Sequence, residues 1–173
     1  GRGEHLQEFQ KLGLDVFGTD ISVETQELSP NLKISIVDSD TTKLPFEDNS
    51  FDIVYSKSFV EHLRNPLDFI QEANRVLKPG GMLVTLTPDW EVVYRKFFDD
   101  YTHLTPFTSI SLEEIQKAGG FTNVSVSKFR QLPILWKYPF LNILAQFQSQ
   151  HFHAIVCKIF PRPCQHFLFF QQG

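Results

Sequence analysis

The run LPFEDNSFDIVYSKSFVEHLRNPLDFIQEANRVLKPGGMLVTLTPD, residues 44–89, most limits what this chain can become. Phe51 to Tyr55 and Met82 to Thr87 are apolar runs of strand length. Between them Asn65-Pro66 opens a helix over 66–77, with Leu67, Ile70, Ala73, Asn74 and Leu77 on one face. Lys78-Pro79-Gly80-Gly81 ends it. Strand, helix, strand is a crossover, and crossovers build parallel sheets covered on both faces.

The flanking segments continue the alternation. Residues 4–12 place Leu6, Phe9 and Leu12 at helical spacing before Gly13. Val16 to Asp20 and Ile34 to Val37 read as short strands, and residues 23–28 as a short helix between them. Ser111 to Ala118 opens with a Ser-x-x-Glu capping box. Asn123 to Phe129 alternates like a half-buried strand, and His153 to Phe160 reads as a last strand antiparallel to it. The expected class is α/β: a Rossmann-like, doubly wound, mostly parallel sheet with an antiparallel last strand. The expected division is a cofactor-binding core over 1–130, an apolar lid or insertion over 131–152, and a last strand with an unassigned tail over 153–173.

Composition narrows the function classes. A chain of 173 residues with 42% hydrophobic content suits one packed domain. Its net charge of -4 speaks against a dedicated nucleic-acid binder. All 20 acidic residues lie at or before Glu114, whereas six basic and no acidic residues follow it. The basic tail and the apolar 132–150 segment, where Phe140, Ile143, Leu144 and Phe147 share a helical face, suit either a lid over the substrate or a peripheral membrane contact. The two cysteines, Cys157 and Cys164, match no common zinc spacing and no disulfide framework, which points to a reducing, cytoplasmic setting.

The chemistry-bearing residues cluster at strand ends. Gly1 and Gly3 precede a helix, where glycine permits close backbone approach to a ligand. Asp20 ends the next strand, where a carboxylate accepts hydrogen bonds from both hydroxyls of a ribose; a helix cap is the other use of an acid there. Asp40 precedes Leu44-Pro45-Phe46 and equally suits an Asx-turn. Ser56 follows the apolar run Phe51 to Tyr55. Within DDYTHLTPFT, residues 99–108, the polar groups Tyr101, His103 and Thr105 lie beside Phe97, Phe98 and Phe107. His103 there is either a general base or a loop histidine bonded to backbone. Glu61 reads as a solvated carboxylate, His62 as a residue packed beside the cofactor loop or capping its helix, with a catalytic role as the alternative, and Trp90 and Trp136 as packing residues, with substrate stacking as theirs.

Asp40, the Leu-Pro-Phe turn, Phe51-Asp52, and SFVEHLRNP at 58–66 together resemble class I S-adenosylmethionine-dependent methyltransferases of the small-molecule, type-11 kind. The resemblance spans roughly residues 1–129. It implies S-adenosylmethionine as cofactor, S-adenosylhomocysteine as product, and a small-molecule, glycan or lipid-linked methyl acceptor. It implies that Gly1 and Gly3 line the methionine end and that Asp20 and Ile21 hold ribose and adenine. Asp40 and Thr41 would meet the adenine edge, and Ser56 would lie under the sulfonium. The family's first strand and the acid of its glycine loop do not precede Gly1. The expectation is therefore an N-terminally truncated domain whose central sheet position is left unpaired. A cofactor-binding module without activity, and an NAD-dependent oxidoreductase, are the rival readings. The second fits poorly, since Leu6 stands where the Gly-x-Gly-x-x-Gly motif needs its third glycine.

Overall fold

In the computed structural model, residues 4–20, 27, 31–37, 43–130, 153–158 and 166–171 are described. They form one seven-stranded sheet in the order β2-β1-β7-β3-β4-β6-β5. The strands are β1 (Asp15–Asp20), β2 (Lys33–Ile36), β3 (Phe51–Lys57), β4 (Leu77–Pro88), β5 (Ser125–Arg130), β6 (His153–Lys158) and β7 (His166–Gln171). The helices are α1 (Glu4–Lys11), α2 (Pro66–Val76), the single turn α3 (Trp90–Val93) and α4 (Ser109–Ala118). Strands β2, β1, β7, β3 and β4 run parallel, and β6 runs antiparallel to β4 and β5. No helix among the described residues is long and apolar enough to cross a membrane.

The central position does not stay open. The tail beyond Pro161, left unassigned from sequence, contributes β7, which lies between β1 and β3 and parallel to both. His153–Lys158 does pair antiparallel with β5, but it is not the last strand: among the described residues the last is the parallel, central β7. The reason lies in His166-Phe-Leu-Phe-Phe. A strand covered on both faces shows a continuous apolar run, with no alternation to detect. Leu168 and Phe170 enter the core that contains Val54, Ile70 and Leu112. Phe167 and Phe169 enter the opposite core, with Leu6, Val16 and Ile34. At the start of β7 the His166 amide donates to Asp52 Oδ2 at 2.8 Å, and Lys78 pairs with Asp52 at 3.1 Å.

Local signals explain most of the other elements. α2 buries Pro66, Phe69, Ile70, Ala73 and Val76, so its core face is rotated from the expected Leu67-Asn74 line. The crossover turn loops out: β4 pairs with β3 at Leu77, then resumes at Met82, with Gly80 at φ 80. α4 starts before the expected box. Thr108 is its N-cap and accepts from the Ser111 amide, while Ser111 Oγ accepts from the Thr108 amide. Ser111 is therefore the return partner of the box and not the cap. α1 lies close on β1, where a Cβ on Gly18 would stand 2.7 Å from Leu6 Cδ1. The Leu-Pro-Phe turn is clamped by Arg75, which donates to the carbonyls of Phe46 (2.9 Å) and Leu44 (3.1 Å) while paired with Glu72 and Asp48. The expected helix over 23–28 and the lid over 131–152 lie outside the described residues.

Candidate functional site

Two loops meet beyond the carboxyl ends of β3 and β4, where open α/β sheets bind ligands. After β3, Ser58 takes a left-handed conformation at φ 47, which is sparsely populated for a residue with a Cβ. A single 3-10 turn, Val60–His62, follows and buries Val60 and Glu61. After β4, the chain runs through α3 and buried Phe97 to the stretch 100–105. This second loop is tied onto the first. The amides of Leu104 and Thr105 both donate to the Glu61 carbonyl, at 2.8 and 2.9 Å. Thr105 Oγ1 donates to the Leu63 carbonyl at 2.9 Å. The docking brings the rings of His62 and His103 to a centroid separation of 4.7 Å.

Hydrogen bonding fixes the tautomer of each histidine. His103 Nδ1 lies 2.7 Å from the Phe97 carbonyl. A carbonyl can only accept, so Nδ1 carries a proton, and in the neutral ring Nε2 keeps its lone pair. The Thr102 hydroxyl donates to Asp100 Oδ1 at 2.6 Å, so it accepts from His62 Nδ1 at 2.9 Å. His62 Nε2 is likewise left with a lone pair. Asp100 Oδ2 stands 3.7 Å from His103 Nε2. Glu61 Oε2 accepts from the Thr87 hydroxyl at 3.0 Å, whereas its buried Oε1 has no partner. Glu61, His62, Asp100, Thr102 and His103, with Ser58 and Pro88, line a cavity of about 480 Å³.

Burial dominates the electrostatics. It pushes the Glu61 carboxyl from its ordinary 4.5 up to about 7. It holds His62 below the usual histidine value, with the neighbouring His103 adding to the effect. Hydrogen bonds from the Thr102 hydroxyl and amide hold Asp100 low. The Glu61 shift has a stability consequence. The folded protein keeps this proton to about pH 7 while the unfolded chain loses it near 4.5, so the stabilisation is complete below pH 4.5 and is lost as pH rises to 7. The expected loss is on the order of 3 kcal/mol, at about 1.4 kcal/mol per pH unit. His62 works in the opposite direction over part of this range. The measurement is therefore the difference between wild type and Glu61→Gln in urea midpoint from pH 4.5 to 8. A difference that does not change with pH would contradict the burial argument.

Of the eight residues that the sequence reading assigns to the cofactor or to catalysis, three lie in the described part: Asp20, Ser56 and His103. Asp20 is the half-buried last residue of β1, at the carboxyl edge. Ser56 lies inside β3 rather than after it, fully buried with an unpartnered hydroxyl, and in register with Thr85 and Phe170. His103 faces the cavity. Gly1, Gly3, Ile21, Asp40 and Thr41 lie outside the described residues. Tyr101 is 91% exposed and takes no part in the cavity, and Thr105 serves as a tie between loops. Trp90 packs edge-on against Phe97, as expected of a packing residue; Trp136 lies outside the described part. Glu61 is a correction: it is 0% exposed, not solvated. His62 is a cavity-lining group rather than a cap. The available signal was the placing of Glu61 between Val60 and Leu63, on a turn with little water to reach.

The edge suits a nucleoside cofactor. The ends of β1 and β3 flank the end of β7, two strand spacings or about 10 Å apart. Asp20 offers a carboxylate for ribose hydroxyls on one side. The unpartnered Ser56 hydroxyl lies near the other, with the acidic-histidine cavity beyond it.

Residues 1–85 match the family model described as a methyltransferase domain. A demethylmenaquinone methyltransferase of Staphylococcus saprophyticus is 30% identical over 144 residues, covering 68% of this chain and 62% of that protein. The chain thus spans less than two thirds of that relative's length. A methyltransferase structure from Archaeoglobus fulgidus superimposes with a TM-score of 0.71 at 21% identity, covering 91% of this chain and 82% of that one. Another, from Mesorhizobium loti, gives a TM-score of 0.72 at 15% identity over 91% of this chain and 86% of that one. At such identities the structures speak for the fold alone. The chain thus shares its doubly wound sheet with solved methyltransferases, and its first 85 residues are similar to a methyltransferase domain.

Proposed function

We propose that the chain transfers a methyl group from S-adenosylmethionine to a small acceptor held in the cavity of Glu61, His62 and His103. The observation that carries this reading is the position of that cavity. It opens at the ends of β3 and β4, on the same sheet edge as Asp20. S-adenosylmethionine, when bound, supplies a methyl group already activated on a sulfonium sulfur. Asp20 accepts the ribose hydroxyls, and Gly1, Gly3, Ile21, Asp40, Thr41 and Ser56 complete the cofactor contacts implied by the family resemblance. The loop 100–105 positions the acceptor. Alignment of this kind supplies roughly 7–11 kcal/mol of a barrier. His103 Nε2 is the group placed to take the acceptor's proton. Relatives named for demethylmenaquinone favour a small-molecule acceptor over a macromolecule. A lipid-linked or glycan acceptor is a narrower version of the same proposal.

Thermal unfolding with S-adenosylhomocysteine tests the cofactor half. At 100 times its Kd a ligand adds about 2.7 kcal/mol. For a domain of this length that raises Tm by roughly 5–11 °C. A rise with S-adenosylhomocysteine and none with NADH is the expected result. No rise with either removes the methyltransferase reading and leaves a module that has the fold without the cofactor.

A further inference from the structure

We propose that Glu61, His62 and His103 form a binding site for a zinc-type divalent transition ion, with open coordination positions facing the cavity. Three observations converge on it. One ligand-capable atom of each of these residues lies within 4.8 Å of those of the other two. The Glu61 carboxylate is fully buried, one of its oxygens has no partner, and the residue lines the cavity. Both histidines are held as the tautomer a metal needs. Metal-binding histidines characteristically donate their second ring N–H to a carbonyl or carboxylate. Here Phe97 O receives it from His103 directly, and Asp100 receives it from His62 through the Thr102 hydroxyl.

The donor set narrows the ion to a divalent transition metal. Two imidazoles and one carboxylate are the ligands of open, catalytic zinc centres, and magnesium and calcium prefer oxygen donors. Tetrahedral zinc with bonds near 2.0–2.1 Å places its ligands roughly 3.4 Å apart. Side-chain shifts that shorten the longest separation by about 1.4 Å therefore close the cluster. Asp100 Oδ2, 3.7 Å from His103 Nε2, offers a further oxygen from the exposed side. The remaining positions point into the 480 Å³ cavity. A small molecule presenting a hydroxyl or carbonyl oxygen is the acceptor class such an ion would take. That substrate class rests on the methyl-transfer reading above, whereas the ion site does not.

The test uses the whole chain, stripped with a chelator and titrated with Co²⁺ as a visible stand-in for Zn²⁺. The expected result is one ion per chain with the absorption of a low-coordinate cobalt centre, displaced by Zn²⁺ and not by Mg²⁺. His62→Ala and His103→Ala should abolish the band. Thr102→Val leaves all three ligands in place but removes the link from His62 to Asp100. It should weaken binding roughly 10–100-fold. If a ligand variant does not fold, the Thr102→Val result decides. No band in the wild-type chain, a band unchanged in His62→Ala and His103→Ala, or equal displacement by Mg²⁺ would each overturn the site. S-adenosylhomocysteine is added to the same samples and Tm recorded. An ion bound without a cofactor-induced rise sinks the methyltransferase reading alone, and the reverse pattern sinks the ion alone.

Discussion

Deleting residues 166–171 is expected to yield a chain that does not fold. β7 supplies Phe167, Leu168, Phe169 and Phe170, which are 4%, 0%, 4% and 1% exposed. Alternate residues enter opposite cores, so its loss opens both at once. It also removes the shared hydrogen-bonding partner of β1 and β3. Truncating one buried Leu or Phe to Ala costs about 2–5 kcal/mol, while a whole domain is stable by only about 5–15 kcal/mol. Four such losses, with two strand edges left unpaired in the interior, exceed that margin. The graded version is Phe170→Ala, expected to lower Tm by roughly 6–20 °C. Ser127→Ala, at an exposed position of β5, is the control and should change little. A Phe170→Ala melt within 2 °C of wild type would show that β7 does not occupy the sheet centre in solution.

The second large effect falls on turnover. Under the proposed function, His103→Gln should lower kcat by roughly 10²–10⁴-fold, which is about 3–5 kcal/mol of barrier. Glutamine keeps a donor for the Phe97 carbonyl, so the loop tie survives, but it lacks the Nε2 lone pair. The loss is expected whether Nε2 takes the proton itself or holds the ion that lowers the acceptor's pKa. The cofactor-induced Tm rise should persist, because His103 lies in the acceptor cavity. If kcat is unchanged while Tm falls, His103 is a loop anchor and the acceptor chemistry lies elsewhere.

Much of this arrangement is legible in the residues themselves. The crossover over 51–87 follows from two apolar runs, a Pro-opened helix and a Pro-Gly-Gly stop, all of them local effects of backbone stereochemistry and apolar period. Asp20 at a strand end follows from the same pattern. The methyltransferase assignment rests on the 40–89 segment, and the family match over residues 1–85 agrees with it. Local reading failed where partners far away in sequence decide the outcome. His166 to Phe170 carries no period because both of its faces are covered, and nothing local says that strands β1 and β3 need a partner between them. Glu61 looks like any surface acid until Leu104 and Thr105 dock on its carbonyl and shut out water. His62 and His103 lie 41 positions apart in sequence, and their pairing exists only once β3 and β4 align side by side. The sequence by itself determined the crossover, the flanking strands and the parallel character of the sheet, since those depend on short-range pattern. The tertiary structure alone decided which strand fills the centre and which side chains face one another across the cavity, since those depend on desolvation and contacts that no local window contains.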